Sequence, residues 1–211
     1  MKQSMRLFAL IIVSTSKENR NLSILNWISV SKIIGRIILN LIGWKLAGNY
    51  PYEIDKKIIL AAPHTSNWDF PIGVLMRTQI AEPIKFIGKA SLFKAPHGWL
   101  FSWLGGIPVD RSRNTNFVDA TVHKINSEKV LTILIAGEGS RKRVEKFKTG
   151  FYHMAYLSKV PIIPLVVDGT KKEFRFEAPF YPTGDAAKEI PLLEKIFEGI
   201  SGVRKSKSFR T

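Results

Sequence analysis

Residues 57–70 read KIILAAPHTSNWDF. The run KIILAA is short, unbroken and rich in branched apolar side chains, which is the pattern of a buried strand. From Asp69 to Gln79 the pattern becomes that of a helix, which Pro71 helps to begin. A buried strand passing directly into a helix is the repeating unit of an α/β fold, and the rest of the chain continues it. Residues 84–87, 107–109, 130–136 and 161–167 are further strand candidates, with helices expected over 116–126 and 150–159 between them. A last segment, 185–200, reads as helical but interrupted by Pro191. Strands interleaved with helices predict an α/β sandwich around a largely buried sheet.

Composition bounds the chemistry. The chain has 211 residues, 45% of them hydrophobic and 23% charged, too apolar for intrinsic disorder and long enough for one globular domain. It contains no cysteine, which excludes disulfides, iron–sulfur clusters, thiolate zinc sites and a cysteine nucleophile. The net charge is +15, of which residues 1–50 hold +6 and the last eleven +4. Such a basic excess toward the ends points to an anionic surface as partner, either nucleic acid or phospholipid.

The first fifty residues favour lipid. Over 24–47 (ILNWISVSKIIGRIILNLIGWKLA), Asn26, Ser29, Lys32, Arg36, Asn40 and Gly43 fall on one narrow helical sector. Ile, Leu, Val and Trp residues cover most of the rest. Lys32 and Arg36 stand mid-way, where each costs about 2.5–3.5 kcal/mol on insertion scales, so the segment is expected to lie in the interface rather than cross the bilayer. Trp27 and Trp44 mark its two ends. The opening MKQSMRLFALIIV has an apolar run over 7–13, too short to span, and is read as a second shallow contact or, alternatively, a targeting peptide. Three regions result: an interfacial helical segment over 1–50, a catalytic domain over 51–200 and a basic tail over 201–211.

No P-loop, dinucleotide, zincin or nucleophile-elbow motif is present. Of the four histidines, His97, His123 and His153 read as turn or helix-surface residues. His64 differs, because it follows the buried strand and opens His-Thr-Ser-Asn-Trp-Asp. If Ser66 or Asn67 caps the helix, Asp69 in its first turn can reach back to the imidazole. A carboxylate on one ring nitrogen fixes the tautomer and makes the other a better proton acceptor, as an alcohol-activating base requires.

Three more blocks follow: Gly105-Gly106-Ile107-Pro108-Val109-Asp110-Arg111, Gly137-Glu138-Gly139-Ser140-Arg141 and Val160-Pro161-Ile162-Ile163-Pro164. Two of them put an arginine beside glycines at a strand end, and paired guanidiniums suit an anionic group such as a phosphate. These four blocks, in this order over about residues 57–170, resemble the signature motifs of the glycerolipid acyltransferases, the family that includes the 1-acyl-glycerol-3-phosphate acyltransferases. The resemblance implies an acyltransferase-type α/β sandwich with a mixed, largely parallel sheet. It also implies His64 and Asp69 as the catalytic pair, and Arg111, Glu138, Gly139, Ser140 and Arg141 as acceptor-binding residues. Pro161 and Pro164 would shape an acyl-binding wall. Ser140 stands where the family has Thr, Ala136-Gly137 where it has Phe-Pro, and Pro108 where it has an aromatic residue. Lys89, between the first two blocks, is a further catalytic candidate as a cation for the oxyanion, with an ordinary surface lysine as the alternative.

The expected reaction is acyl transfer from acyl-CoA or acyl-carrier protein to the hydroxyl of a lysolipid, with no metal or bound cofactor. The expected location is a membrane surface, on the cytoplasmic face of a bacterial inner membrane. Partners are then phospholipid, acyl donor and lysolipid, with no nucleic acid. The alternatives are another lysolipid as acceptor, a nucleic-acid-binding module, or a membrane scaffold without activity.

Overall fold

The computed structural model describes residues 30–80, 82–109 and 114–209. Among these, seven strands form one sheet: β1 (Lys45–Ala47), β2 (Lys56–Ala62), β3 (Ile84–Lys89), β4 (Gly106–Val109), β5 (Leu131–Ala136), β6 (Ile162–Asp168) and β7 (Glu173–Phe176). Their order is β1-β7-β6-β2-β5-β3-β4. Every neighbouring pair is parallel except β6 and β7. The helices are α1 over 30–42, α2 (Asp69–Arg77), α3 (Gly98–Trp103), α4 (Asn114–Ser127), α5 (Gly150–Ser158) and α6 (Ala186–Lys195). The mixed, mostly parallel sheet with flanking helices is the architecture expected above.

The two faces of the sheet follow from the period-two alternation of strand side chains. Ile58, Leu60 and Ala62 of β2 point to one side, with Phe151 and Met154 of α5 and Leu193 of α6. Ile59 and Ala61 point to the other, with Leu39 of α1 and Ile72 and Met76 of α2. On this second side α3 joins through rings: Phe101 lies 5.3 Å from Phe70 of α2, and Phe70 lies 5.2 Å from Phe86 of β3. The Arg77 guanidinium, at the end of α2, donates to the carbonyls of Ile84 and Leu104 and so ties α2 to β3 and to the end of α3.

The amphipathic segment departs from expectation in its second half. The helix expected through Ala47 stops at residue 42, because Gly43 takes a left-handed φ of 76°, open to glycine at little cost. Its N–H donates to Asn40 O at 3.1 Å and that of Trp44 to Leu39 O at 2.8 Å, closing the helix. Lys45–Ala47 then become β1 against β7. Trp44, expected as an interfacial anchor, is only 6% exposed, with its ring 4.9 Å from Phe174. Trp27 lies outside the described residues, as does the run over 7–13. What remains of the apolar face is exposed: Ile33, Ile34, Ile37 and Leu41, the last at 81%. No helix among the described residues is long and apolar enough to cross a membrane.

The boundaries drawn at 50 and 201 do not follow the packing. The sheet takes in residues 45–47, and Ser208 and Phe209 are fully buried. Nor does Pro191 interrupt α6, which runs through it with Ile190 and Leu193 facing the core and the Asp185 side chain capping its start.

A buried ion pair sits at the N-terminal edge of the parallel strands. The Lys57 side chain, fully buried, meets Glu82 at 2.9 Å and donates to the carbonyls of Pro51 at 3.0 Å and Ile54 at 2.7 Å. Thr132 Oγ1 donates to the same carboxylate. The Tyr50 ring lies 4.7 Å from the ammonium, and burial pushes its phenol well above the usual range.

Candidate functional site

Parallel strands deliver their following loops to one edge, and in open α/β sheets that edge is where ligands bind. Ala62, the last residue of β2, pairs with Val166, and Ala61 pairs with Ala136, the last residue of β5. The His64 loop and the Glu138 loop therefore leave adjacent strands side by side.

Asp69 opens α2, so its carboxylate faces the preceding loop. Oδ2 accepts the N–H groups of Thr65 at 2.7 Å and Ser66 at 2.8 Å and lies 3.0 Å from His64 Nδ1. The cap expected from Ser66 or Asn67 is absent. Trp68 occupies the N-cap without a side-chain bond to the helix, and Ser66 Oγ accepts from the Trp68 N–H at 3.2 Å. Asp69 is almost wholly buried while the imidazole is partly open to solvent. With Nδ1 committed to the carboxylate, Nε2 is the nitrogen left to meet a substrate proton.

Glu138 joins this loop. Its Oε1 accepts the His64 N–H at 2.8 Å, and the residue is only 3% exposed. Oε2 of Glu138 and Oδ1 of Asp69 are buried with no hydrogen-bond partner among the described residues. Burial raises the Glu138 carboxyl above its ordinary value, against the lowering effect of the His64 N–H. A group whose folded pKa is raised holds its proton longer in the folded state, so its contribution to stability declines as pH rises past the ordinary carboxylate value. Glu138→Gln keeps the acceptor for His64 and removes that titration. Melting curves from pH 4 to 8 should therefore show the variant gaining on the wild type as pH rises, and a constant difference would refute the assignment.

The other sequence-identified residues divide. Ser140 and Arg141 follow on the same loop as Glu138. Gly139 N–H donates to Ala136 O at 3.0 Å, Ser140 Oγ accepts from Lys142 at 3.3 Å, and Arg141 is exposed. Lys89 is exposed at the end of β3, on the same edge but with β5 between it and β2. Arg111 lies outside the described residues. The two prolines are elsewhere. Pro161 precedes β6 at the edge opposite His64, where its carbonyl accepts from Ile58 at 3.0 Å, and Pro164 is buried in mid-strand beside Leu60. Neither stands on the rim of the His64 loop, because a strand start and the middle of a parallel strand both lie below the edge where its loops emerge. The 390 Å³ cavity lined by Tyr156, Lys159, Val160 and Tyr181 is also at the start of β6 and contains none of these residues.

One element of the site has no counterpart in the motif reading. The chain after α6 returns beneath the His64 loop as a strap over 201–209. The Arg204 N–H donates to Thr65 Oγ1 at 2.9 Å, and Gly202 N–H to Ser208 Oγ at 2.8 Å. A Cβ on Gly202 would come within 2.6 Å of the Thr65 side chain, so glycine is what lets the strap approach. Phe209 stacks 4.5 Å from Phe147, whose ring lies directly against Gly137. The strap thus touches the supports of both loops. In the sequence this segment reads as part of a basic tail over 201–211, whose four Lys/Arg residues hide the small and aromatic residues that pack.

The arrangement can orient an imidazole, hold its supporting carboxylate dry, and present cations on the neighbouring loop. Among the described residues there is no cluster of three or more His, Asp or Glu side chains that could hold a metal. In comparison with known proteins, residues 45–168 match the model of the family described as Acyltransferase. The chain is 29% identical over 141 residues to 1-acyl-sn-glycerol-3-phosphate acyltransferase of Escherichia coli, covering 63% of this chain and 56% of that one. It is 30% identical over 150 residues to the protein of the same name from Haemophilus influenzae, covering 67% and 60%. The chain thus spans less than two thirds of the length of these relatives. The fold is similar to the crystal structure of the 1-acyl-sn-glycerophosphate (LPA) acyltransferase PlsC from Thermotoga maritima, with a TM-score of 0.57, 19% identity and coverage of 80% of this chain and 76% of that one. With its matched region running from β1 to the end of β6 and carrying both the His64 and Glu138 loops, the chain belongs to the Acyltransferase family.

Proposed function

We propose that this protein transfers a fatty acyl group from a thioester to the free hydroxyl of a lysolipid, with 1-acyl-glycerol-3-phosphate as acceptor and phosphatidic acid as product. The observation that carries the reading is the His64–Asp69 contact, made by a buried carboxylate at the C-terminal edge of the sheet. The names of the relatives support the acceptor.

In this mechanism His64 Nε2 takes the acceptor's hydroxyl proton as its oxygen attacks the thioester carbon. Asp69 holds the ring through Nδ1 and stabilises the imidazolium that forms. The tetrahedral intermediate collapses by breaking the carbon–sulfur bond, and the thiolate of CoA or carrier protein receives the proton. The ester bond replaces the thioester, no acyl-enzyme forms, and the thioester itself supplies the driving force. Arg141, with Arg111, receives the acceptor's phosphate, and Lys89 is the cation for the oxyanion. Glu138 acts as a positioning residue through the His64 N–H, since a buried carboxyl is a poor partner for a phosphate.

The test offers purified protein a panel of lysolipids with one isotopically labelled acyl thioester and identifies products by mass. Labelled phosphatidic acid as the main product supports the proposal. Acylation of a different lysolipid alone overturns the acceptor, and no thiol release with any pair overturns the reaction.

A further inference from the structure

We infer that the strap over 201–209 is a positioning element of the His64 loop and acts through Thr65. It fixes the stretch of chain that carries the imidazole, and so governs turnover rather than substrate affinity. The inference rests on the proposed function for the reaction it serves, but not for its evidence.

Residues 63–66 belong to neither helix nor strand, so their path depends on hydrogen bonds from side chains. Glu138 accepts the His64 N–H, Asp69 accepts those of Thr65 and Ser66, and Thr65 Oγ1 accepts the Arg204 N–H. The two carboxylates belong to the motif blocks. The Arg204 contact comes from a segment beyond those blocks, and it reaches the residue next to His64 through a buried threonine.

The strap is braced to hold that contact. Gly169, just past β6, donates its N–H to Ser201 O at 2.7 Å, and a Cβ on Gly169 would come within 2.4 Å of Gly202. The strap is therefore seated on the end of β6, the strand beside β2. Lys207 N–H donates to Arg204 O and Ser208 N–H to Lys205 O, each at 3.0 Å, while the bond from Gly202 to Ser208 Oγ closes the segment on itself. Val203 packs against the core on the α2 side, and Phe209 lies in the core on the α5 side. The strap thus crosses the sheet edge that carries His64 and is anchored in both layers. On the α5 side it continues through Phe147 to Gly137, next to Glu138, whose carboxylate holds the His64 N–H. The supports of His64 from two loops lead to one brace, which resists a shift of either loop against the other. Such a shift matters, since misplacing a reacting group by about 1 Å can cost about 10²-fold in rate.

The experiment compares Thr65→Val, which keeps nearly the same shape but removes the acceptor, with Thr65→Ser, which keeps the acceptor. With the full chain, an acyl thioester and 1-acyl-glycerol-3-phosphate, Thr65→Val should lower kcat about ten- to a hundredfold with KM within about twofold, and Thr65→Ser should recover most of the loss. Ser208→Ala, which loosens the strap from outside the loop, should lower kcat in the same sense. Tyr152→Phe is the control, because that hydroxyl also accepts a backbone N–H, from Gly184 just before α6, and its loss should leave kcat unchanged. Histidine labelled with 15N gives a readout independent of activity. The ring signals of His64, identified by their absence in His64→Ala, should shift in Thr65→Val and return in Thr65→Ser, while those of His123 and His153 stay in place. A kcat within about twofold of wild type in folded Thr65→Val or Ser208→Ala would overturn the inference. So would a loss confined to KM, or an equal drop in Thr65→Ser or Tyr152→Phe. If wild type transfers no acyl group, the reaction assignment has failed and the ring signals alone decide: an unmoved His64 in Thr65→Val removes the positioning role.

Discussion

His64→Ala should lower acyl-transfer turnover by about 10²–10⁴-fold, the usual worth of a positioned general base, while the melting temperature should stay near that of the wild type. The ring is partly solvent-exposed and contributes little packing, so its loss is chemical rather than structural. Asp69→Asn should cost a comparable factor. Its amide can still accept from Thr65 and Ser66, but turning its NH2 toward the ring would select the wrong tautomer of His64. Release of free thiol from an acyl thioester, followed in a single cuvette, reads both variants. Turnover within a few-fold of wild type in His64→Ala would remove the base from the mechanism.

Glu82→Ala should destabilise the protein by about 3–5 kcal/mol, as read by urea titration. The Lys57 ammonium is fully buried, and deleting its carboxylate leaves a charge whose remaining partners are the neutral carbonyls of Pro51 and Ile54 and the Tyr50 ring. Thr132 loses its acceptor in the same step. Replacing both members, Lys57→Met with Glu82→Met, should recover much of the loss, because well-packed apolar residues often substitute for a buried pair at little cost. A double variant no more stable than the single one would place the effect in packing rather than charge.

How far the sequence could be read depended on the length of each signal. The strands around β2, β5 and β6 and the helices α2, α4 and α5 are legible because their runs are long and regular, and their observed ends lie within a few residues of those expected. Three-residue β1 lay inside the amphipathic pattern that read as helix, β7 is a charged four-residue stretch without an apolar run, and α3 was hidden in a stretch of Trp, Leu and Phe between glycines. The helix expected through Ala47 failed at one residue, since Gly43 fitted the polar stripe and its left-handed conformation had no separate signature. At the site, the H-x4-D spacing carried the His64–Asp69 contact. The Glu138 link to His64 was not visible, because a hydrogen bond to a backbone N–H leaves no trace in a motif. The prolines were given a part in an acyl-binding wall on resemblance alone, and their strand register sets Pro161 before β6 and Pro164 within it, away from the His64 rim.

The strap gives the protein an Achilles heel that no substitution of His64 or Asp69 would reveal. Arg204 and Lys205 are exposed and invite trypsin, yet the segment beyond them ends in the buried Phe209 plug. A single nick there would leave every reactive side chain in place while cutting the tie between Thr65 and that plug. Digestion under native conditions should therefore silence activity on the same time course as that one cleavage, well before the sheet itself is degraded.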